Sequence, residues 1–201
     1  MTNIQFIFAA LSSIVGIACF VPYIRDIFRH KTQPHSYSWF IWTILQFTGV
    51  IAMFSAGAGA GISSLAIGTT LCGFIFLLSL RYGTHNIKTF DVICLIGALG
   101  ALAIYFFLHN ELLSVLMVVS VDIIGFLPTF RKAYEEPKTE TVSTYVLSAV
   151  ADALALGALT VFTVTTSVYL ISLVVTNGLC AFIILIRRKQ NNSSVLAGTS
   201  K

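Results

Sequence analysis

The chain has 201 residues, of which 57% are hydrophobic and only 10% charged, with a formal net charge of +4. Soluble globular domains carry about 25% charged residues, so the composition excludes an ordinary soluble fold and predicts an integral membrane protein. The basic excess is no nucleic-acid footprint either, because it is spread in small groups between apolar runs.

Taken in chain order, seven apolar stretches cover residues 4–28, 37–55, 62–80, 89–108, 112–130, 143–163 and 168–186. Each approaches the ~20 residues a helix needs to cross a ~30 Å hydrocarbon core. A backbone at that depth must satisfy its own hydrogen bonds, which favours helices, and the alternating pattern of a membrane barrel is absent. The first stretch lacks a basic leader and is too long for a cleaved signal peptide, so it reads as a retained helix. It holds Pro22 and Arg25 near its inner end and runs into Arg29 and Lys31. The second opens with Trp39 and Trp42, placed for an interfacial aromatic belt, and holds Gln46. Gly68, Thr69 and Gly73 lie in the third, before Arg81 and Lys88. The fourth carries no acid or amide beyond its start. Asp122 and Pro128 lie in the fifth, ahead of Arg131, Lys132 and Lys138; Asp152 lies in the sixth and Asn177 in the seventh. The tail carries Arg187, Arg188, Lys189 and Lys201.

Those groups account for all twelve Lys and Arg residues, and the second, fourth and sixth loops have none. Basic loops remain cytoplasmic. The expected topology is therefore seven spans with the amino terminus outside and the carboxyl terminus in the cytoplasm, and the expected location is the plasma (inner) membrane. Cys19, Cys72, Cys94 and Cys180 sit inside apolar stretches without paired spacing and read as small packers. No metal and no cofactor is expected. His30, His35, His85 and His109 fall in loops, where a solvated surface is the default.

One phrase occurs twice. Phe20-Val21-Pro22-Tyr23-Ile24-Arg25 returns as Phe126-Leu127-Pro128-Thr129-Phe130-Arg131, and Lys31-Thr32 with Ser36 returns as Lys138-Thr139 with Ser143. Leu71-Cys72-Gly73-Phe74 returns as Leu179-Cys180-Ala181-Phe182, the offset growing from 106 to 108 residues. Two three-helix units, residues 1–82 and 111–190, are thus expected, with a linker helix at 83–110 and a cytoplasmic tail at 191–201. Three spans reverse the side of the chain, so the linker restores orientation and leaves the two bundles parallel. Proline removes one intrahelical hydrogen bond and crowds the carbonyl a turn earlier. Pro22 and Pro128 are the expected hinge or gate positions near the inner ends of their helices.

On these residues the chain resembles the PQ-loop superfamily, which includes the SWEET and SemiSWEET sugar transporters and the lysosomal amino-acid exporters. The three-one-three layout, the repeated proline and the Lys-Thr-to-Ser trailer carry the resemblance over nearly the whole chain. The Pro-Gln dipeptide is replaced by Pro22-Tyr23 and Pro128-Thr129, and the second and sixth stretches lack the prolines of SWEETs. The resemblance implies an asparagine lining the pocket from the seventh helix, the position of Asn177, with Thr69 as its counterpart in the third. It also implies that intramembrane carboxylates serve proton-coupled members.

Depth gives an independent reading. At ~1.5 Å per residue, Asp122, Asp152, Asn177 and Gln46 all fall about 12–13 Å in from the inner ends of their helices, a single layer at the bilayer centre. Intramembrane acids are expensive and mark functional sites. Asn177, Asp122, Asp152, Thr69 and Gln46 are the expected substrate- or proton-binding residues, Gln46 with the strongest structural alternative. Interhelical hydrogen bonding is the competing role for all five. The expected function is transport of a small polar solute, sugar or amino-acid-like, by alternating access, either facilitative or proton-coupled, by a monomer or a homo-oligomer. The alternative is a SWEET-like receptor or sorting protein that binds without transporting. The sequence around Asp122 and Asp152 does not match intramembrane aspartyl hydrolases, and no phosphate loop is present, so no enzyme is expected.

Overall fold

In the computed structural model, residues 3–55, 63–107, 111–159 and 161–198 are described. All regular structure among them is helical. The helices are α1 (Asn3–Ala18), α2 (Phe20–Phe28), α3 (Ser36–Ser55), α4 (Ser63–Tyr82), α5 (Thr89–Tyr105), α6 (Glu111–Glu135), α7 (Val142–Ala158) and α8 (Val164–Gly198). A 3-10 turn, Pro137–Thr139, leads from α6 to α7.

The two repeated prolines act differently. Pro22 has no N–H to offer the carbonyl of Ala18, and the helix ladder is interrupted there, between α1 and α2. Cys19 at the junction keeps right-handed helical angles (φ −62°, ψ −26°), so the chain runs on as one rod from Asn3 to Phe28. Pro128, by contrast, lies inside an unbroken α6. The end of α2 is closed by His30 at φ 55°. There the His30 N–H donates to Ile27 O (2.9 Å) and the Lys31 N–H to Asp26 O (2.8 Å), the paired bonds that turn a chain sharply off a helix.

Six of the rods form a closed ring in the order α1–α2, α4, α3, α6, α8, α7 and back to α1. Helix α5 stands outside it, packed on α6 and α3 through Ala98, Leu102, Ile41, Leu45 and Val121. Glycine sets two of the ring contacts. A Cβ on Gly157 of α7 would come within 3.1 Å of the Phe8 ring in α1, and one on Gly125 of α6 within 3.1 Å of Ile41 and 3.2 Å of Trp42 in α3. Small residues at such points let helix backbones approach closely. The densest core lies toward loops 29–35 and 136–141 and includes Tyr23, Ile27, Trp39, Ile75, Tyr145 and Ile184.

The outside is apolar. Helix α1 has no buried residue, and Ile4, Phe6 and Ile14 are each more than 60% exposed. Water would not tolerate so much contiguous hydrocarbon surface. Three rods, Asn3–Phe28, Leu112–Glu135 and Thr166–Asn191, are long and apolar enough to cross a bilayer. The chain is a helical membrane protein.

Candidate functional site

The ring encloses a cavity of about 490 Å³ lined from all six of its rods. Helix α1 contributes Ser12, Ser13 and Gly16, with Cys19 and Phe20 at and beyond the junction; α3 contributes Trp39, Trp42, Leu45 and Gln46. From α4 come Gly68, Leu71 and Cys72, and from α6 come Asp122 and Phe126. Helix α7 supplies Thr144, Tyr145, Ser148, Ala151 and Asp152, and α8 supplies Tyr169, Leu170, Leu173 and Asn177. Among the described residues no lysine, arginine or histidine lines it.

The amide of Asn177 donates to its own helix at Leu173 O (3.0 Å) and to Asp152 Oδ2 (3.4 Å). Gln46 donates to the Cys72 sulfur at 3.0 Å, and Ser12 to Ala151 O at 2.8 Å, tying α1 to α7. Other lining groups have no such partner. Asp122 Oδ2, Trp42 Nε1 and Thr144 Oγ1 are buried without a hydrogen bond from the protein. Buried polar atoms are nearly always paired, and an unpaired one costs about 1–3 kcal/mol. Three residues of the cavity wall thus each keep a polar atom buried with bonding capacity to spare.

Of the residues singled out in the sequence, Asp122, Asp152, Asn177 and Gln46 meet at this cavity. Thr69 is buried in α4 beside lining residues but is not one of them. Pro22 and Pro128 stand two residues past the lining aromatics Phe20 and Phe126. The expected interfacial belt of Trp39 and Trp42 is corrected: both indoles are buried, 5% and 8% exposed, and both line the cavity. Three positions recur in register, Gly16 with Asp122, Phe20 with Phe126, and Leu45 with Asp152, and all six side lining positions face the same space. Sequence reading missed Ser12, Ser13, Ser148 and Tyr169, since single hydroxyls in apolar helices bond their own backbone as readily as a ligand.

On the side of loops 29–35 and 136–141 the cavity is floored by aromatic rings. Trp39 and Trp42 meet at 5.1 Å with planes at 90°, and Trp42 meets Phe126 at 4.7 Å. Below them is a polar layer. Trp39 Nε1 donates to the Tyr23 hydroxyl (3.1 Å), and the hydroxyls of Tyr23 and Tyr145 reach Glu140 Oε2 at 3.4 and 2.9 Å. Lys132, whose side chain is fully buried, donates to Glu140 Oε1 at 2.7 Å and to Thr139 O at 2.9 Å. The Thr32 and Thr141 hydroxyls are bonded to each other, and Thr129 donates to Ser38 at 2.9 Å. Arg188 holds the turn from outside through Pro137 O and Glu140 O.

No family model, curated protein or solved structure matches this chain. Its chemistry is therefore read from the cavity alone. Among the described residues no group of three or more His, Cys, Asp or Glu side chains converges as a metal site would. What the cavity can do is hold a small molecule by hydrogen bonds and ring contacts, in a volume within the usual range for such sites.

Proposed function

We propose that the protein is a seven-span carrier for a small polar solute, built from two parallel three-helix units joined by α5 and working by alternating access. One observation carries this reading: a cavity inside the helix ring, lined from every rod, with Asp122, Trp42 and Thr144, which each bury a polar atom without a protein partner, among its lining residues. A cavity between repeats near the bilayer midplane is where carriers of this kind bind their cargo. The distribution of basic residues supports an outside amino terminus and a cytoplasmic carboxyl terminus. In that orientation the layer of Tyr23, Tyr145, Glu140 and Lys132 lies on the cytoplasmic side and separates the cavity from it. The conformation is then the one closed to the cytoplasm, and Pro22 and Pro128 sit where the seal would bend. Asp122 and Asp152 are the groups able to exchange a proton during the cycle.

The test is uptake into proteoliposomes across a panel of small solutes, with and without an imposed pH gradient. Asn177→Ala is expected to lower the rate about tenfold or more, the scale of one hydrogen bond to a charged group, while the protein still inserts. Asp122→Asn and Asp152→Asn are expected to lose the response to the gradient. Normal transport with an unchanged gradient response in both Asp variants refutes the proton role. Saturable binding with no flux of any solute refutes the carrier and leaves a receptor.

A further inference from the structure

We infer that the cavity is a site for a small organic cation, an amine or quaternary ammonium; this rests on the carrier reading and names the charge of its cargo. Two carboxylates, Asp122 and Asp152, line the cavity, and among the described residues no cationic side chain does. Arg131 and Lys132, farther along α6, are paired elsewhere, Arg131 with Asp91 and Glu135 and Lys132 with Glu140. Asp122 is 2% exposed with Oδ2 unbonded, and the Asn177 amide donates to Asp152 at 3.4 Å. A buried carboxylate demands a counter-charge or a proton, and no described residue supplies a counter-charge here.

The aromatic floor supplies the second half of a cation site. Trp39 and Trp42 stand perpendicular at 5.1 Å, with Phe126 4.7 Å from Trp42 and Phe20 6.4 Å from Trp39. Aromatic ring faces attract a desolvated cation, tryptophan most strongly. They do nothing comparable for a neutral sugar hydroxyl, and they repel an anion. Carboxylates and indoles lining one cavity therefore select an alkylated or primary ammonium over a neutral molecule of the same shape. The titratable groups facing the two acids are Cys19, Cys72, Tyr145 and Tyr169, none of them a cation at neutral pH. Protonation of both acids is the competing way to neutralise the site, and it makes the opposite prediction for binding.

The experiment uses the two tryptophans of the chain, both of which line the cavity, as an intrinsic fluorescence reporter. Full-length protein in nanodiscs is titrated with choline, tetramethylammonium, and 3,3-dimethylbutan-1-ol, the neutral carbon isostere of choline, at fixed ionic strength. The expected result is a saturable change with the ammonium ligands at concentrations at least about tenfold lower than with the isostere, the factor set by one cation–π or charge contact. In Asp122→Asn/Asp152→Asn the ligands should converge. Equal response to the isostere overturns the proposal, as does the same response to sodium alone, no saturable response to either ammonium, or unchanged preference in a folded double variant. If the double variant does not fold, the comparison of ligands in the unmodified protein still decides. Flux is read separately with labelled choline. Selective binding without flux removes the carrier and keeps the cation site; flux of a neutral solute that choline does not inhibit removes the cation site and keeps the carrier.

Discussion

His35 has no solvent exposure, and neither ring nitrogen makes a hydrogen bond. Its Nε2 lies 3.4 Å from Asp91 Oδ2, but that carboxylate already accepts from Arg131 Nε and from the Lys88 backbone N–H. Burial outweighs the attraction of Asp91 and lowers the His35 pKa to about 4, with Lys132 and Arg131 adding to the effect. The unfolded chain takes up its proton near pH 6.5, so between pH 6.5 and 4 the unfolded state binds more protons and stability falls as pH falls. The stabilisation from neutral His35 is complete above pH 6.5 and shrinks by up to about 3 kcal/mol on going to pH 4. Unfolding of the detergent-solubilised protein across that range should show the slope, and His35→Phe should flatten it. An equally steep slope in the variant would assign the acid sensitivity elsewhere. The sequence places this histidine in a loop, as it does the exposed His30 and His85, while His109 lies outside the described residues. It gives no sign that the loop is pinned from both sides, by Thr84 N–H to Pro34 O and Gln33 N–H to Thr139 O. Burial that comes from loops docking on loops leaves no periodic pattern to read.

At the scale of elements, the short connection from α6 to α7 is held by a buried ion pair. Lys132 comes from α6, Glu140 follows the 3-10 turn, and Tyr23 of α2 and Tyr145 of α7 complete the carboxylate's bonds. Breaking one side of such a pair strands a charge and costs about 3–5 kcal/mol, whereas replacing both with apolar groups is often neutral. Lys132→Met alone is therefore expected to lower the unfolding free energy by about 3–5 kcal/mol, and Lys132→Met/Glu140→Leu to recover most of it. A double-mutant cycle on thermal unfolding measures the coupling; simple addition of the two losses would show that the groups act independently. Hydropathy located the start of each apolar rod within about four residues, because a bilayer-length apolar run has few alternatives, but it ended the last one at 186 while α8 runs on to Gly198, through part of the expected tail. It did not separate Pro22, where the ladder breaks, from Pro128, where it holds, nor did it distinguish Lys132, fully buried against Glu140, from its neighbour Arg131, which turns to Asp91 of α5 and to Glu135. Both differences depend on what packs against the helix, and adjacent residues on one helix face different partners.

For the molecule as a whole, the decisive feature is how the ring closes: α1–α2 packs on α7, and α3 packs on α6. In the proposed duplication these two seams are equivalent. Tyr23 corresponds to Thr129, and Ser38 to Tyr145, at offsets of 106 and 107 residues. The contacts agree with that register, since the Tyr23 and Tyr145 rings lie 6.5 Å apart across one seam and the Thr129 and Ser38 hydroxyls 2.9 Å apart across the other. The repeats themselves can be read from the sequence, but the closure depends on close approach at Gly125 and Gly157, which a single sequence does not distinguish from other glycines. If the two units rock, both seams must part on the side of loops 29–35 and 136–141 before cargo leaves the cavity there. Sulfurs in place of the paired hydroxyls would stand within reach of a disulfide, so Ser38→Cys/Thr129→Cys offers a reversible clamp on the smaller seam. The oxidised variant should lose nearly all flux in proteoliposomes and regain it on reduction, with the unmodified protein, whose four cysteines are buried, unaffected by the same oxidant. Cargo binding, read by tryptophan fluorescence, should survive the clamp, because the cavity lies on the far side of the aromatic floor. Full flux through a quantitatively cross-linked protein would mean that this seam stays shut throughout the cycle, and that two rigid units parting at equivalent seams is the wrong description of the motion.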